Sequence, residues 1–347
     1  MRVTFLVPSA RRPVGGVLAL YEFANALGRR GHRVHIAHGP GFPDPVGTPA
    51  DITWFEFAPG ITHSVHTDLD DADLPVSDRI EVTGAAFFTD GRLLAALEAG
   101  ARPDLGRPFL FVQAYRHLPP TVEARAFGGP WPKVCVARWM IDALAADGVP
   151  PGQLAFIPYG LDHDVFRLTH PIEERPARVA MLYNAHPNKG APTGIAALAA
   201  VRARRPDLEI VLFGTKEPEH VIPPEMTFVR SPDRAVLVEQ IYNGSRVFLS
   251  PSGREGFGFC GIEAMACGCA LVSTDNGGSR DYAVDGETAL VVPPGDAGAM
   301  AAAVERLLDD DATRCRLATA GLAAATRFDW DRSGAALEEF LSAQSAD

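Results

Sequence analysis

The sequence predicts an α/β protein of two doubly wound domains, each a parallel sheet covered by helices. Three observations carry that expectation. Short apolar runs rich in Val, Ile and Phe alternate with segments whose apolar residues recur every three to four positions, the pattern of βαβ units. The alternation breaks at the polar stretch HPIEERPARVAM, from His170, and then starts again. A length of 347 residues suits two domains of ordinary size, each able to bury a core.

The first domain is placed at residues 1–168. VTFLVPS, Val3 to Ser9, reads as its opening strand, and the Gly15-Gly16 turn leads into a helix with Val17, Leu20, Tyr21, Ala24 and Leu27 on one face. Gly31 precedes the next strand, RVHIAH. Further strands are expected at ITWFEF from Ile52, RIEVTG from Arg79, FLFVQ from Phe109 and KVCVA from Lys133. Helices are expected at GRLLAALEAG from Gly91 and ARWMIDALAADG from Ala137. The acidic segment DLDDADLP, Asp68 to Pro75, reads as a solvated connection.

The second domain is placed at 169–327. It alternates through VAMLYN, a helix from about Gly190 to Arg205, EIVLFG, MTFVR, RAVLVEQIYNGS, VFLSPS, a short helix, ALVST and TALVVPP before its terminal helices. FDWDRSGAALEEFLSAQ, within 328–347, is helical by pattern. Open sheets of this kind bind ligands outside the carboxyl ends of their strands, so the two domains are expected to face each other across a cleft there.

Composition narrows the function. Hydrophobic content of 47% with 22% charged residues is that of a globular protein. No apolar run approaches the ~20 residues of a membrane span and the chain opens directly on a strand. The expectation is therefore a cytoplasmic protein with no signal peptide and at most peripheral membrane contact. A net charge of -11 argues against a nucleic-acid partner, which needs a basic face, and an anionic substrate must then meet local cations.

Five cysteines are an odd number without disulfide spacing, which fits a reducing compartment. Cys267 and Cys269 lack the further ligands of a tetrahedral zinc site and read as small buried residues; no metal is expected. His32, His35 and His38 share one strand, where a spacing of three sends alternate rings to opposite faces, so they cannot converge.

The most informative stretch is EGFGFCGIEAMACG, Glu255 to Gly268. It places Glu255 and Glu263, with seven residues between them, around a glycine-rich turn that runs from a buried strand into a helix capped by Gly268. Gly256, Gly258 and Gly261 let the backbone turn and approach a ligand. A helix opening there presents free N–H groups and a positive dipole end, suited to a diphosphate. Glu263, one turn in, can grip a ribose diol, and Glu255 the hydroxyls of a second sugar.

The pattern PSxxEGFGxxxxEAMACG, followed by LVSTDNGGSRDYAVDGETALVVPPGD, resembles the donor-site signature of the retaining glycosyltransferases of the "group 1" (family four) class, which have the GT-B fold of two Rossmann-like domains. PYGLDHDVF, from Pro158, resembles the segment that closes the first domain in that class, and the C-terminal helix is implied to cross back onto that domain. Lys189-Gly190 resembles the "GRLxxxKG" motif whose Arg and Lys bind the donor diphosphate. Where the family carries Arg this chain has Asn184, with Tyr183 and His186 nearby, and Arg254 is one cation that would compensate.

The resemblance implies Gly256, Phe257, Gly258 and Phe259 against the diphosphate, Glu263 on the ribose, and the Thr227 to Arg230 segment, with Val229, beside the base. Gly15 and Gly16 resemble the glycine loop that approaches donor phosphate and acceptor, and Arg11 and Arg12 next to it face either an anionic acceptor or solvent. Many relatives have a histidine just after the fourth or fifth strand. Here the segment reads FLFVQAYRHL, leaving Gln113, Tyr115 and His117 as alternatives, with Gln113 and His117 carried forward beside Glu255 and Lys189 as the catalytic set. Asn276, Gly277, Gly278 and Ser279 form a polar turn near the donor.

The implied activity is hexosyl transfer from a nucleoside diphosphate sugar to an acceptor hydroxyl on a glycan, glycolipid or small molecule. It would need no cofactor or metal, and the leaving diphosphate would take the acceptor proton. The alternative is a sugar phosphorylase or epimerase of the same fold, or a donor-binding protein without transfer. A dehydrogenase is disfavoured, because no G-x-G-x-x-G follows the first strand.

Overall fold

Strand β1 (Arg2–Pro8) buries every residue after Arg2, as a central strand covered on both faces must. The computed structural model describes residues 1–41, 45–116 and 120–344, and divides the chain into one unit of residues 1–160 with 330 onward and another of Leu161–Asp329. In the first unit β1 is followed by α1 (Gly15–Arg29), β2 (Arg33–Gly39), β3 (Thr62–Val65), β4 (Arg79–Glu81), α2 (Thr83–Phe88), α3 (Arg92–Glu98), β5 (Arg107–Val112), α4 (Pro120–Phe127), β6 (Lys133–Cys135), α5 (Arg138–Ala146) and β7 (Leu154–Phe156). The strands pair in parallel in the order β3-β2-β1-β4-β5-β6-β7.

The second unit contains β8 (Arg178–Leu182), α6 (Ala191–Arg204), β9 (Glu209–Gly214), β10 (Thr227–Arg230), a π-helical segment at Val236–Tyr242, β11 (Val247–Ser250), α7 (Phe259–Ala266), β12 (Ala270–Thr274), β13 (Ala289–Val292), α8 (Ala297–Asp309) and α9 (Asp311–Ala325). Its parallel sheet runs β10-β9-β8-β11-β12-β13. Both sheets therefore reverse direction beside their first strand, at β1/β4 and at β8/β11. The last helix, α10 (Trp330–Ala343), belongs to the first unit and packs on α1: Trp330 meets Phe23 edge-on at 5.4 Å, and His32 Nε2 lies 2.9 Å from Glu338.

Several expectations needed correction. ITWFEF forms no strand; the sheet edge is Thr62–Val65 instead. The aromatic alternation serves a cluster, since Trp54, Phe55 and Phe57 pack around Tyr21 with centroids 5.6, 5.1 and 4.9 Å away. Asn25 of α1 then satisfies that segment's backbone, donating to Glu56 O at 2.9 Å and accepting from Ala58 N at 2.7 Å, so no ladder is required. RIEVTG stops being a strand at Glu81, whose carboxylate accepts from Thr83 N and opens α2. The acidic segment is more than a solvated connection, because Asp70 accepts from Gly91 N and Leu93 N and so caps α3. Strand β7 and helix α4 were not foreseen.

The division between the units falls at Gly160/Leu161 and Asp329/Trp330, against the expected 168/169 and 327/328. Leu161 N donates to Phe328 O at 3.1 Å and Thr169 N to Asn243 Oδ1 at 2.8 Å, which ties 161–169 to the second sheet. His32, His35 and His38 go to separate partners: Glu338, the Thr62 and Ser64 hydroxyls, and the Tyr21–His63 pair. Cys267 and Cys269 are buried, and the Cys269 thiol lies 3.0 Å from Tyr242 O as its donor. No helix among the described residues is long and apolar enough to cross a membrane.

Candidate active site

The reversal of strand order at β8/β11 opens a crevice at the carboxyl ends of those two strands, where open α/β sheets bind ligands. Lys189 follows β8 and Glu255 follows β11. Side chains of the first loop shape it locally: Asn184 Oδ1 accepts from His186 N at 2.9 Å, and His186 Nδ1 from Asn188 N at 3.2 Å. Gly253 N then donates to Asn188 O at 2.7 Å and joins the two loops. Lys189 Nζ is thereby held 2.8 Å from both carboxylate oxygens of Glu255, with 31% and 13% of the two side chains exposed.

The polar turn after β12 supports this pair from behind. Glu255 N donates to Asn276 O at 2.9 Å, Thr274 donates its hydroxyl to Ser252 O, and Asn276 Oδ1 accepts from Ser279 N at 3.0 Å. The Asn276 to Ser279 turn, expected near the donor, acts here as the backbone anchor of the Glu255 loop.

Helix α7 begins after Gly258, whose φ of +89° only glycine adopts without strain. The room opened by this glycine is filled by the protein: Tyr282 donates to Gly258 O at 2.7 Å, and a Cβ on Gly258 or Gly261 would meet the Tyr282 hydroxyl at 2.7 or 2.8 Å. No side chain caps α7, and its N-terminus turns the positive end of the helix dipole toward an anion. Glu263 sits one turn in, 9% exposed, and Tyr242 donates its hydroxyl to Oε2 at 2.8 Å. Burial raises the Glu263 carboxyl to about 7, against the opposing effects of the Tyr242 bond, the Arg234 charge and the Cys260 contact.

The remaining expected positions divide. Gly256 and Phe259 flank the turn, and Arg254 is exposed beside Glu255. Asn184 is exposed and brings no charge. Phe257 is turned into the core, where it packs on Phe259, Tyr282 and Phe328 at 5.5 to 5.7 Å and is 2% exposed. Val229, third of the four residues of β10, is in register with Phe213 near the carboxyl end of β9, and it lines a cavity of about 410 Å³.

In the first unit Gly15 and Gly16 are the first residues of α1, and Gln113, just past β5, donates Nε2 to Gly16 O at 2.9 Å. The two expected sites are one contact. A Cβ on Gly16 would lie 2.6 Å from Gln113 Oε1, so glycine permits the approach. Tyr115 turns away to donate to Asp147, and Arg11 is engaged by Pro45 O and Asp51. His117 lies outside the described residues.

Comparison with known proteins bears on the region that holds Lys189, Glu255 and Glu263. Residues 177–310 match the family described as "Glycosyl transferases group 1". That region therefore resembles the group 1 glycosyltransferases. It is 31% identical over 205 residues to the phosphatidyl-myo-inositol mannosyltransferase of Mycolicibacterium smegmatis, covering 56% of this chain and 51% of the relative, so the match spans about half the relative's length. The mannosyltransferase of the same description from Mycobacterium leprae is 23% identical over 95% of this chain and 93% of its own.

Among solved structures, sucrose-phosphate synthase from Thermosynechococcus elongatus superposes with a TM-score of 0.76 at 19% identity, covering 99% of both chains. HepE from Anabaena, in complex with UDP-glucose, gives 0.76 at 17% identity over 99% of this chain and all of the other. With its two parallel-sheet units, the chain thus has the GT-B fold. Nothing in the sequence alone points to Tyr242, which sits in RAVLVEQIYNGS among core residues such as Val238 and Ile241; its hydroxyl partner, twenty-one positions on, leaves no local signal.

Proposed function

We propose that the protein moves a hexose from a nucleoside diphosphate sugar to an acceptor hydroxyl with retention of anomeric configuration. The observation that carries this reading is the pairing of Lys189 with Glu255 beside the N-terminus of α7, at the switch point of the sheet that matches the group 1 model. In this reading Glu263 receives the ribose diol, Lys189 and the α7 N–H groups receive the diphosphate, and Glu255 holds hydroxyls of the transferred sugar. The Gly15, Gly16 and Gln113 corner of the first unit, with His117 next to it in sequence, serves the acceptor. The names of the relatives support a glycolipid or glycan acceptor, and the UDP-glucose complex of HepE supports a nucleoside diphosphate hexose donor.

The chemistry follows from where charge develops. As the anomeric C–O bond breaks, negative charge grows on the diphosphate, and Lys189 with the α7 dipole stabilises it more in the transition state than in the ground state. The acceptor oxygen forms its bond on the same face, and the departing diphosphate takes the acceptor proton. Neither a cofactor nor a metal is required by this scheme, and its place in the cell is the cytoplasm, where nucleotide sugars are made. Release of nucleoside diphosphate from a panel of nucleotide sugars, with and without acceptor, tests the reading. Acceptor-dependent release with an α-linked product from an α-linked donor supports it. Release that requires only inorganic phosphate would identify a phosphorylase, and binding without release an inert receptor.

A further inference from the structure

We propose that Tyr242 is a positioning residue for Glu263, orienting that carboxylate toward the ribose diol of the donor nucleotide. The inference rests on the donor-site reading above and names a group that reading does not use. Tyr242 closes the π-helical segment Val236–Tyr242, a geometry in which Asn243 N bonds back five residues to Val238 O at 2.9 Å. Such segments are rare and recur at functional sites, because the extra residue per turn re-aims one side chain. Here the side chain re-aimed is a phenol. Its ring is wedged among Phe213, Phe248 and Phe166, with centroids 5.8, 5.6 and 6.4 Å away, and it has no exposed surface.

A tyrosine hydroxyl placed in such surroundings needs a partner, and it donates to Glu263 Oε2 at 2.8 Å while the Cys260 thiol also bonds to it. One carboxylate oxygen is thereby held from the buried side, and the carboxyl plane cannot rotate freely as the diol arrives. Holding a group before the ligand comes removes an ordering cost from binding. The same bond favours the ionised carboxylate, the form that accepts from two hydroxyls. The other groups acting on Glu263 are Cys260 on its own helix and Arg234 in the loop after β10, with Cys267 and Tyr282 at longer range.

Calorimetric titration of nucleoside diphosphates and their 2′-deoxy counterparts into wild type, Tyr242→Phe, Glu263→Gln and the double variant tests the assignment. Tyr242→Phe keeps the ring, and its melting temperature reports whether the core is intact. The expected result is a fivefold to thirtyfold loss of affinity for the ribonucleotide and little change for the 2′-deoxy compound. In the Glu263→Gln background the Tyr242 change should add almost nothing. The acid-side loss of ribonucleotide binding should also move to higher pH in Tyr242→Phe, since the carboxylate has lost a donor that kept it ionised. Unchanged affinity, or an equal loss for ribo and deoxy ligands, would overturn the proposal and leave Tyr242 a core residue. The unsubstituted protein supplies a readout of its own: its preference for ribo over deoxy should fall on acidification below about pH 7, and a pH-independent preference contradicts the scheme. If wild type binds none of the diphosphates, the donor site itself is misread, which is a different failure from binding that ignores Tyr242.

Discussion

Lys189 Nζ lies 2.8 Å from both oxygens of Glu255. Two groups that the proposed function assigns to different parts of a donor, its diphosphate and its sugar, are thus each other's partner. In the proposed function a diphosphate would compete for the ammonium and leave the carboxylate to the sugar hydroxyls. Lys189→Ala should lower kcat by about a hundredfold to a thousandfold, the scale of losing one preorganised stabiliser of developing charge. Donor affinity should change less. Steady-state kinetics beside calorimetry check this, and a raised KM with unchanged kcat would make the lysine a ground-state binder.

Most of this pair was readable in the sequence because its signals are local: a strand, a glycine turn and a helix within twenty residues, twice over. The sheet order and the anchoring of Glu255 by Asn276 depend on contacts between strands and loops far apart in the chain. ITWFEF misled because period-two aromatics mark a ring cluster around Tyr21 as well as they mark a strand. Phe257 looked like a ligand contact because it lies inside the signature, yet its apolar ring finds Phe328, over seventy positions away. Tyr242 gave no signal for the same reason.

Asn184→Arg should tighten nucleoside diphosphate binding by about twofold to fivefold, within the range of an exposed ion pair. The site offers Lys189 but no second cation at this position, and an arginine there adds one at the carboxyl end of β8. Part of the gain is offset by loss of the Asn184 bond to His186 N, which shapes the Lys189 turn. The gain should shrink at high salt. Titrations at two ionic strengths decide it, and a salt-independent change would point to loop rearrangement instead.

Gly16→Ala and Gln113→Ala should be strongly coupled. The new methyl lies 2.6 Å from Gln113 Oε1, so in wild type it displaces the amide from Gly16 O and costs about 1 kcal/mol, the worth of one hydrogen bond. In the Gln113→Ala background that obstacle is gone. There the helix preference of alanine over glycine, about 0.5–1 kcal/mol, should make the same substitution neutral or stabilising. A double-mutant cycle by urea unfolding reads the change of sign, and additive effects would refute the contact.

Glu81 should make the first unit less stable as pH rises. Burial in the sheet pushes its carboxyl up to about 8 from an ordinary 4.5, and its Oε2 has no hydrogen-bond partner among the described residues. Because the folded value lies above the unfolded one, the contribution of the protonated acid is fully present below pH 4.5 and is lost as pH climbs through 8. The slope approaches about 1.4 kcal/mol per pH unit between the two values. Glu81→Gln keeps an acceptor for Thr83 and removes the titration, so its melting temperature should gain on wild type steadily from pH 5 to 8.5. Parallel curves would show that Glu81 stays ionised in the fold.

In the proposed function the second unit holds a nucleotide sugar, with Glu263 on its ribose. Titration of nucleoside diphosphates into wild type and folded Glu263→Ala tests it most directly. Wild type should bind at least one diphosphate one to one, and the variant should lose about 1–3 kcal/mol, the scale of removing a charged hydrogen-bond acceptor. Equal affinity in the two proteins would contradict it.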